Sequence, residues 1–246
     1  MTEEPCHTNS RMPLSTTMWL TILNIALASA CGQQYVMSMP VLQGNIGGMA
    51  GQQEPIPPST RAHWMRQANI ALGAPCPFAG FGSVIVNHTA NAGLGDLVCS
   101  GVNGNRETGN PILHGEVAAI NNCTTILTDP NGPYKLSPRE ATEAFTSLSI
   151  YTNAESCPMC ASAIRWAGFK EYVYGTSIDK LVKSGWHQMN ISSQEIFDRS
   201  NTLAHSTVLI GHVLANETDP YFRWQFAPGT PCPEGCSRLV DGCHAD

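Results

Sequence analysis

The sequence predicts an α/β domain in which a single sheet is covered by helices on both sides. Three observations predict it. Short β-branched segments alternate with segments of helical spacing. The 246 residues, 42% of them hydrophobic, suffice for one substantial core and give no sign of two domains of comparable size. Two compact motifs, His-Gly-Glu at 114–116 and Cys-Pro-Met-Cys at 157–160, each fall where a strand gives way to a helix.

Residues 18–30 (MWLTILNIALASA) are apolar, follow a polar segment containing Arg11, and end in small residues. Thirteen apolar positions are too few to span a bilayer comfortably and match the central region of a secretory signal peptide. Residues 1–31 are therefore expected to be a signal peptide, which leaves no stable membrane span after its removal and makes the protein secreted. A buried helix is the competing assignment. Residues 32–58, with Gly47, Gly48, Gly51, Pro55, Pro57 and Pro58, read as a flexible leader. The folded part is expected over 59–227, opened by a Ser59 cap and a helix carrying Trp64 and Ala68.

FGSVIVNHT and DLVCSGVN, separated by a Gly- and Asn-rich turn at 91–95, predict a hairpin. A second helix begins close to His114 and a loop around Asp129–Pro133 follows it. Residues 148–151 give a third strand, a third helix starts near Cys157, and EYVYGTS gives a fourth strand. Ser192 with Glu195 forms a capping box for a short helix, and TVLIGHVL gives a fifth strand.

Ten cysteines fit an oxidising compartment. With Cys157 and Cys160 reserved for metal and Cys6 and Cys31 removed with the signal, Cys76, Cys99, Cys123, Cys232, Cys236 and Cys243 remain, enough for three disulfides in any of fifteen pairings. The tail of residues 228–246 is expected to be stapled to the body. Sequons at Asn87, Asn122, Asn190 and Asn216 suit a eukaryotic secretory route. The net charge of -6, with no concentration of Lys or Arg, disfavours nucleic acid as a partner.

One imidazole and two thiolates suit a tetrahedral Zn2+ whose fourth position stays open to water. Glu116, two residues beyond His114, can move protons without binding the metal. A spacing of three on the first turn of a helix puts the sulfurs of Cys157 and Cys160 on one side, and the helix N-terminus favours their thiolate forms. His114 supplies the third ligand provided that the two helix N-termini converge. Alone, C-x-x-C also fits a redox pair or half a structural zinc site, and H-x-E is common by chance. Together and in this order they point to hydrolytic deamination.

FGSVIVN, NPILHGEVAAI and ESCPMCASAIRWAG resemble the cytidine and deoxycytidylate deaminase superfamily, in the branch of guanine deaminases and tRNA adenosine deaminases. The resemblance runs from about Arg61 to Phe226. It implies a three-layer α/β/α sandwich on a five-stranded mixed sheet, usually as a dimer or tetramer, with a homodimer expected. It assigns Glu116 as catalytic and His114, Cys157 and Cys160 to zinc. Asn103, eleven residues before His114, takes the place of a base-reading asparagine, although a turn residue is the plain alternative. Phe81 and Trp166 match aromatic positions near the pocket, with core packing as the competing assignment. Ser156 replaces the usual proline, Gly115 replaces an alanine, the loop between Thr128 and Phe145 is long, and Gly185-Trp186-His187-Gln188 stands where guanine deaminases carry an acidic pair. The expected activity is release of ammonia from a free nucleobase or nucleoside, purines such as guanine favoured. A nucleic-acid editing deaminase and a catalytically silent secreted binding protein are the alternatives, and the intact Glu116 argues against the second.

Overall fold

In the computed structural model the described residues are 55–89, 93–240 and 242–246. The expected signal peptide and the leader up to residue 54 lie outside them. Within the last residues of the expected leader, Ile56 is buried, with 8% of its surface exposed. The first helix, α1 (Pro58–Ile70), opens with Pro57 as its cap and Pro58 at its first position, so Ser59 sits inside the helix rather than capping it. Proline wins that place because its fixed φ suits the first turn, where its missing N–H removes no bond.

The strands β1 (Gly82–Asn87) and β2 (Asp96–Val102) form the expected antiparallel hairpin. After a short α2 (Asn105–Thr108) come α3 (Gly115–Thr128), α4 (Pro138–Ala144), β3 (Ser149–Ala154), α5 (Pro158–Ala167) and β4 (Glu171–Thr176). The chain continues through α6 (Ile178–Lys183), α7 (Ser193–Arg199), β5 (Val208–Ile210), α8 (Ala215–Thr218) and α9 (Pro220–Arg223). It ends in a two-stranded hairpin, β6 (Cys236–Leu239) and β7 (Gly242–Ala245).

The main sheet has five strands in the order β2-β1-β3-β4-β5 and is mixed: β1 runs antiparallel to both neighbours, whereas β3, β4 and β5 are parallel. Alternation of side chains then builds two cores. Val84, Val86, Tyr151 and Val173 face Trp64, Met65 and Ala68 of α1. Ile85, Ile150 and Tyr172 face the opposite side, where Ala119 and Leu127 of α3 and Ile164 of α5 cover them. The result is the three-layer α/β/α sandwich. In the register of these strands the C-terminal ends of β2 and β3 meet the N-terminal end of β1, so α3 and α5 start from the same edge of the sheet.

Two stretches differ from expectation. The loop after Thr128 holds α4, whose Ser137–Glu140 capping box is of the same kind as the one that opens α7. The fifth strand is only three residues long, because His212 and Leu214 adopt positive φ and bend the chain away. Disulfides join Cys99 to Cys123, Cys232 to Cys243 and Cys76 to Cys236. The last of these staples the tail to the body, and Cys157 and Cys160 stay free.

Candidate active site

His114 is the N-cap of α3 and Cys157 the N-cap of α5, with Pro158 setting the first turn so that Cys160 comes round to the same side. The two helix starts converge. Nδ1 of His114 lies 3.6 Å from the sulfur of Cys157 and 3.6 Å from that of Cys160. All three ligand atoms fall within 4.8 Å of one another. At Gly115 a Cβ would lie 2.7 Å from the carbonyl oxygen of Phe81, so α3 packs here in a way that suits glycine in place of the family's alanine.

The electrostatics are those of a tightly shared proton. Cys157 is pulled down to about 4, chiefly by its hydrogen bond with Cys160 and with help from the His114 ring. Cys160 is pushed far up by the neighbouring Cys157 sulfur and by burial, and His114 is raised by its bond to Cys157. A divalent cation displaces such protons when it binds. Soft sulfur with one imidazole nitrogen is a donor set that fits zinc, with three protein ligands and a place left for solvent or substrate.

Glu116 occupies the first turn of α3 with 7% of its surface exposed, and burial holds its carboxyl above the ordinary range. It lines, with His114 and Cys157, a cleft of about 280 Å³. Asn103 and Phe81 line the same cleft. The backbone N–H of Asn103 donates to the Phe81 carbonyl, and its side-chain amide donates to Oδ1 of Asn105.

Trp166 is not brought to this site. It is 76% exposed in the single chain and lines neither the cleft nor the core. Six residues beyond the buried Cys160 on the same helix, its side chain emerges about 120° away around the axis. The aromatic wall comes instead from Phe78 and Trp186 beside Phe81. The rings of Phe81 and Trp186 meet edge to face at 5.1 Å, Phe222 packs on Phe81 at 4.9 Å, and the indole N–H of Trp186 donates to the Phe222 carbonyl. Arg106 lies over the Phe78 ring at 4.7 Å. His187, Gln188 and Glu155 complete the lining that sequence reasoning did not assign to a pocket. The departure at 185–188 from the usual acidic pair was the available signal for the first two.

A mixed five-stranded sandwich with imidazole, paired thiols and a buried carboxyl at the starts of two helices is the arrangement that the resemblance to zinc deaminases implies. Residues 58–176 match the cytidine and deoxycytidylate deaminase zinc-binding region, a match that supports a place for this segment in the cytidine deaminase-like superfamily. Guanine deaminase of Bacillus subtilis (strain 168) is 30% identical over 118 residues, which are 48% of this chain and 60% of that protein. The tRNA-specific adenosine deaminase of Rickettsia typhi (strain ATCC VR-144 / Wilmington) is 29% identical over 99 residues, 39% of this chain and 58% of that one. The match thus spans about 60% of the length of these curated relatives. Among solved structures, a guanine deaminase from Nitrosomonas europaea superposes with a TM-score of 0.48 at 16% identity, covering 68% of this chain and 82% of the other.

Proposed function

We propose that the protein is a zinc-dependent aminohydrolase that releases ammonia from a free nucleobase or nucleoside, with aminated purines such as guanine the favoured substrates. The observation that carries this is the convergence of His114, Cys157 and Cys160 beside the buried Glu116 in one cleft. His114, Cys157 and Cys160 would hold the zinc, which supplies a Lewis acid and lowers the pKa of a water from 15.7 to about 7. Glu116 would accept a proton from the attacking water and deliver it to the ring nitrogen and the leaving amine, which departs as ammonia. Burial raises its pKa above the ordinary carboxyl value, which makes it a better proton acceptor than an exposed carboxylate.

Phe81 and Trp186 offer apolar faces for a planar ring, and the amide of Asn103 offers both a donor and an acceptor for the ring edge. The volume and the single cation among the lining residues, Arg106, favour a small uncharged substrate over a polynucleotide, as does the acidic net charge. The tRNA-specific relatives are the reason to keep an editing reaction in the test. Export to an oxidising compartment is part of the same proposal. It is supported by the three disulfides and by the exposed sequon residues Asn190 and Asn216.

The test is ammonia release from guanine, adenine, cytosine, their nucleosides and a tRNA anticodon stem-loop, with zinc quantified and Glu116→Gln as control. Turnover of a free base or nucleoside, lost in the variant at unchanged zinc content, is expected. Release of ammonia from the stem-loop alone would overturn the small-substrate reading.

A further inference from the structure

The geometry points to Glu155 as a positioning residue that fixes the substrate-facing segment 184–192, and so sets which base the cleft accepts; this rests on the deaminase reading above. Glu155 lines the cleft, and a carboxylate there invites assignment as the acid absent from positions 185–188. Its hydrogen bonds say otherwise. Oε2 accepts from the backbone N–H of Ile178, the first residue of α6, at 2.8 Å. Oε1 accepts from the backbone N–H of Ser193, the first residue of α7, also at 2.8 Å. The side chain is 6% exposed, and its own backbone N–H donates to the Thr176 carbonyl at 2.7 Å.

The segment between these two helices carries Trp186, His187 and Gln188, all of which line the cleft. One carboxylate therefore holds both flanking helices. The Ser193 hydroxyl adds a bond to the Ser156 carbonyl, tying the second helix to the residue that precedes Cys157. The turn into the segment is equally fixed: Gly185 has φ +106, and a Cβ on it would lie 2.8 Å from Cγ of Phe226. A segment so held presents His187 and Gln188 at a set distance from the ring plane offered by Phe81 and Trp186, where they can read the edge of a bound base. Glu155 acts on substrate through those two residues and not by proton transfer.

Glu155→Gln keeps the shape of the side chain and one acceptor oxygen while turning the other position into a donor that faces an N–H. Hydrogen exchange on the zinc-loaded protein is the first readout and needs no substrate. Amides of 184–192 are expected to exchange roughly tenfold faster, as the loss of one bond to a charged acceptor predicts, with α1 and α3 unchanged. Unchanged exchange in 184–192 overturns the proposal, whether or not the protein deaminates anything. The second readout is a double-mutant cycle with His187→Ala. In Glu155→Gln, KM for the preferred base is expected to rise about tenfold with kcat within about threefold, and the preference among bases to flatten; the effect is expected to shrink in the His187→Ala background. A fall in kcat at constant KM would make Glu155 a proton carrier instead, and additive effects would show that it does not act through the segment. Failure of wild-type protein to release ammonia from any base or nucleoside would defeat the deaminase reading and leave the exchange result standing.

Discussion

The two walls of the cleft are built by different means. The wall of His114, Glu116, Cys157 and Cys160 sits on the first turns of α3 and α5, helices that leave one edge of the sheet and are packed on its core. The facing wall of Phe78, Phe81 and Trp186–Gln188 belongs to connecting segments, held by ring contacts, by the Glu155 bonds and by the tail. The first wall is suited to chemistry, which demands atoms fixed within tenths of an ångström, and the second to choosing what enters. The difference teaches that conserving the reaction and changing the substrate place demands on separate parts of the chain.

The largest effect should come from the first wall. Glu116→Gln is expected to lower kcat by about 10²- to 10⁴-fold, with zinc retained, because it removes the proton carrier and leaves the three metal-binding side chains in place. Ammonia-release kinetics alongside zinc analysis check this. A variant that kept wild-type turnover would put the proton transfer elsewhere and break the division between the walls.

A change of intermediate size should come from the second wall through the tail. Cys76 lies two residues before Phe78, whose ring packs against Trp186 and Trp224, and its disulfide to Cys236 closes the longest loop of the three, with a sequence separation of 160. Replacing both cysteines by serine is expected to lower stability by about 2–4 kcal/mol, more than the same change at Cys232 and Cys243, which are separated by 11. KM should rise while kcat holds, because Phe78 loses its anchor and Glu116 does not. Denaturant unfolding and steady-state kinetics measure the two parts separately, and a fall in kcat equal to the rise in KM would mean that the walls are not independent.

The same division explains what could be read from the residues alone. Patterns local in sequence were legible: the alternation of strands and helices, the capping box at Ser192 and Glu195, and the motifs at 114–116 and 157–160. A short-range pattern on a helix start fixes side-chain direction through the helical period, so convergence at the sheet edge needed only the order of the strands. The second wall has no such pattern. Trp186 meets Phe81 across more than a hundred residues, and Glu155 binds amides 23 and 38 positions away, contacts that the hydrophobic period does not encode. The short α4 was missed despite its capping box, since its seven residues carry a single buried side chain, Ala141, too little to show a periodic face.

A smaller effect, on stability alone, is expected at His88, on the face of the sheet away from the cleft. Its ring bonds to the Tyr151 hydroxyl at 2.9 Å and to the Leu94 carbonyl at 3.1 Å, and burial holds its pKa below the ordinary value. Glu171 opposes that shift, while Lys170 and Arg61 add to it. With the folded value depressed, the unfolded chain binds the extra proton first. Stability is therefore full above the ordinary histidine range, falls as pH drops through about 6.5, and levels off below the folded value. His88→Gln should remove this slope in thermal melts between pH 7 and 5 while leaving ammonia release unchanged. A slope that persisted in the variant would assign it to another group.

The smallest effect separates family resemblance from geometry. Trp166 matches an aromatic position of the family, yet its side chain points to solvent from the far side of the helix that carries Cys160. Trp166→Ala is expected to change stability by no more than about 0.5 kcal/mol, the usual range for an exposed position. KM and kcat for the preferred base should match wild type, whereas the same truncation at Trp186 removes a ring from the cleft and should raise KM. The indole that was legible by alignment to a motif would then be silent, and the one that only the folded chain reveals would matter. A rise in KM at Trp166 larger than that at Trp186 would reverse this ranking and place the selective wall on α5, with the machinery it is here held to be separate from.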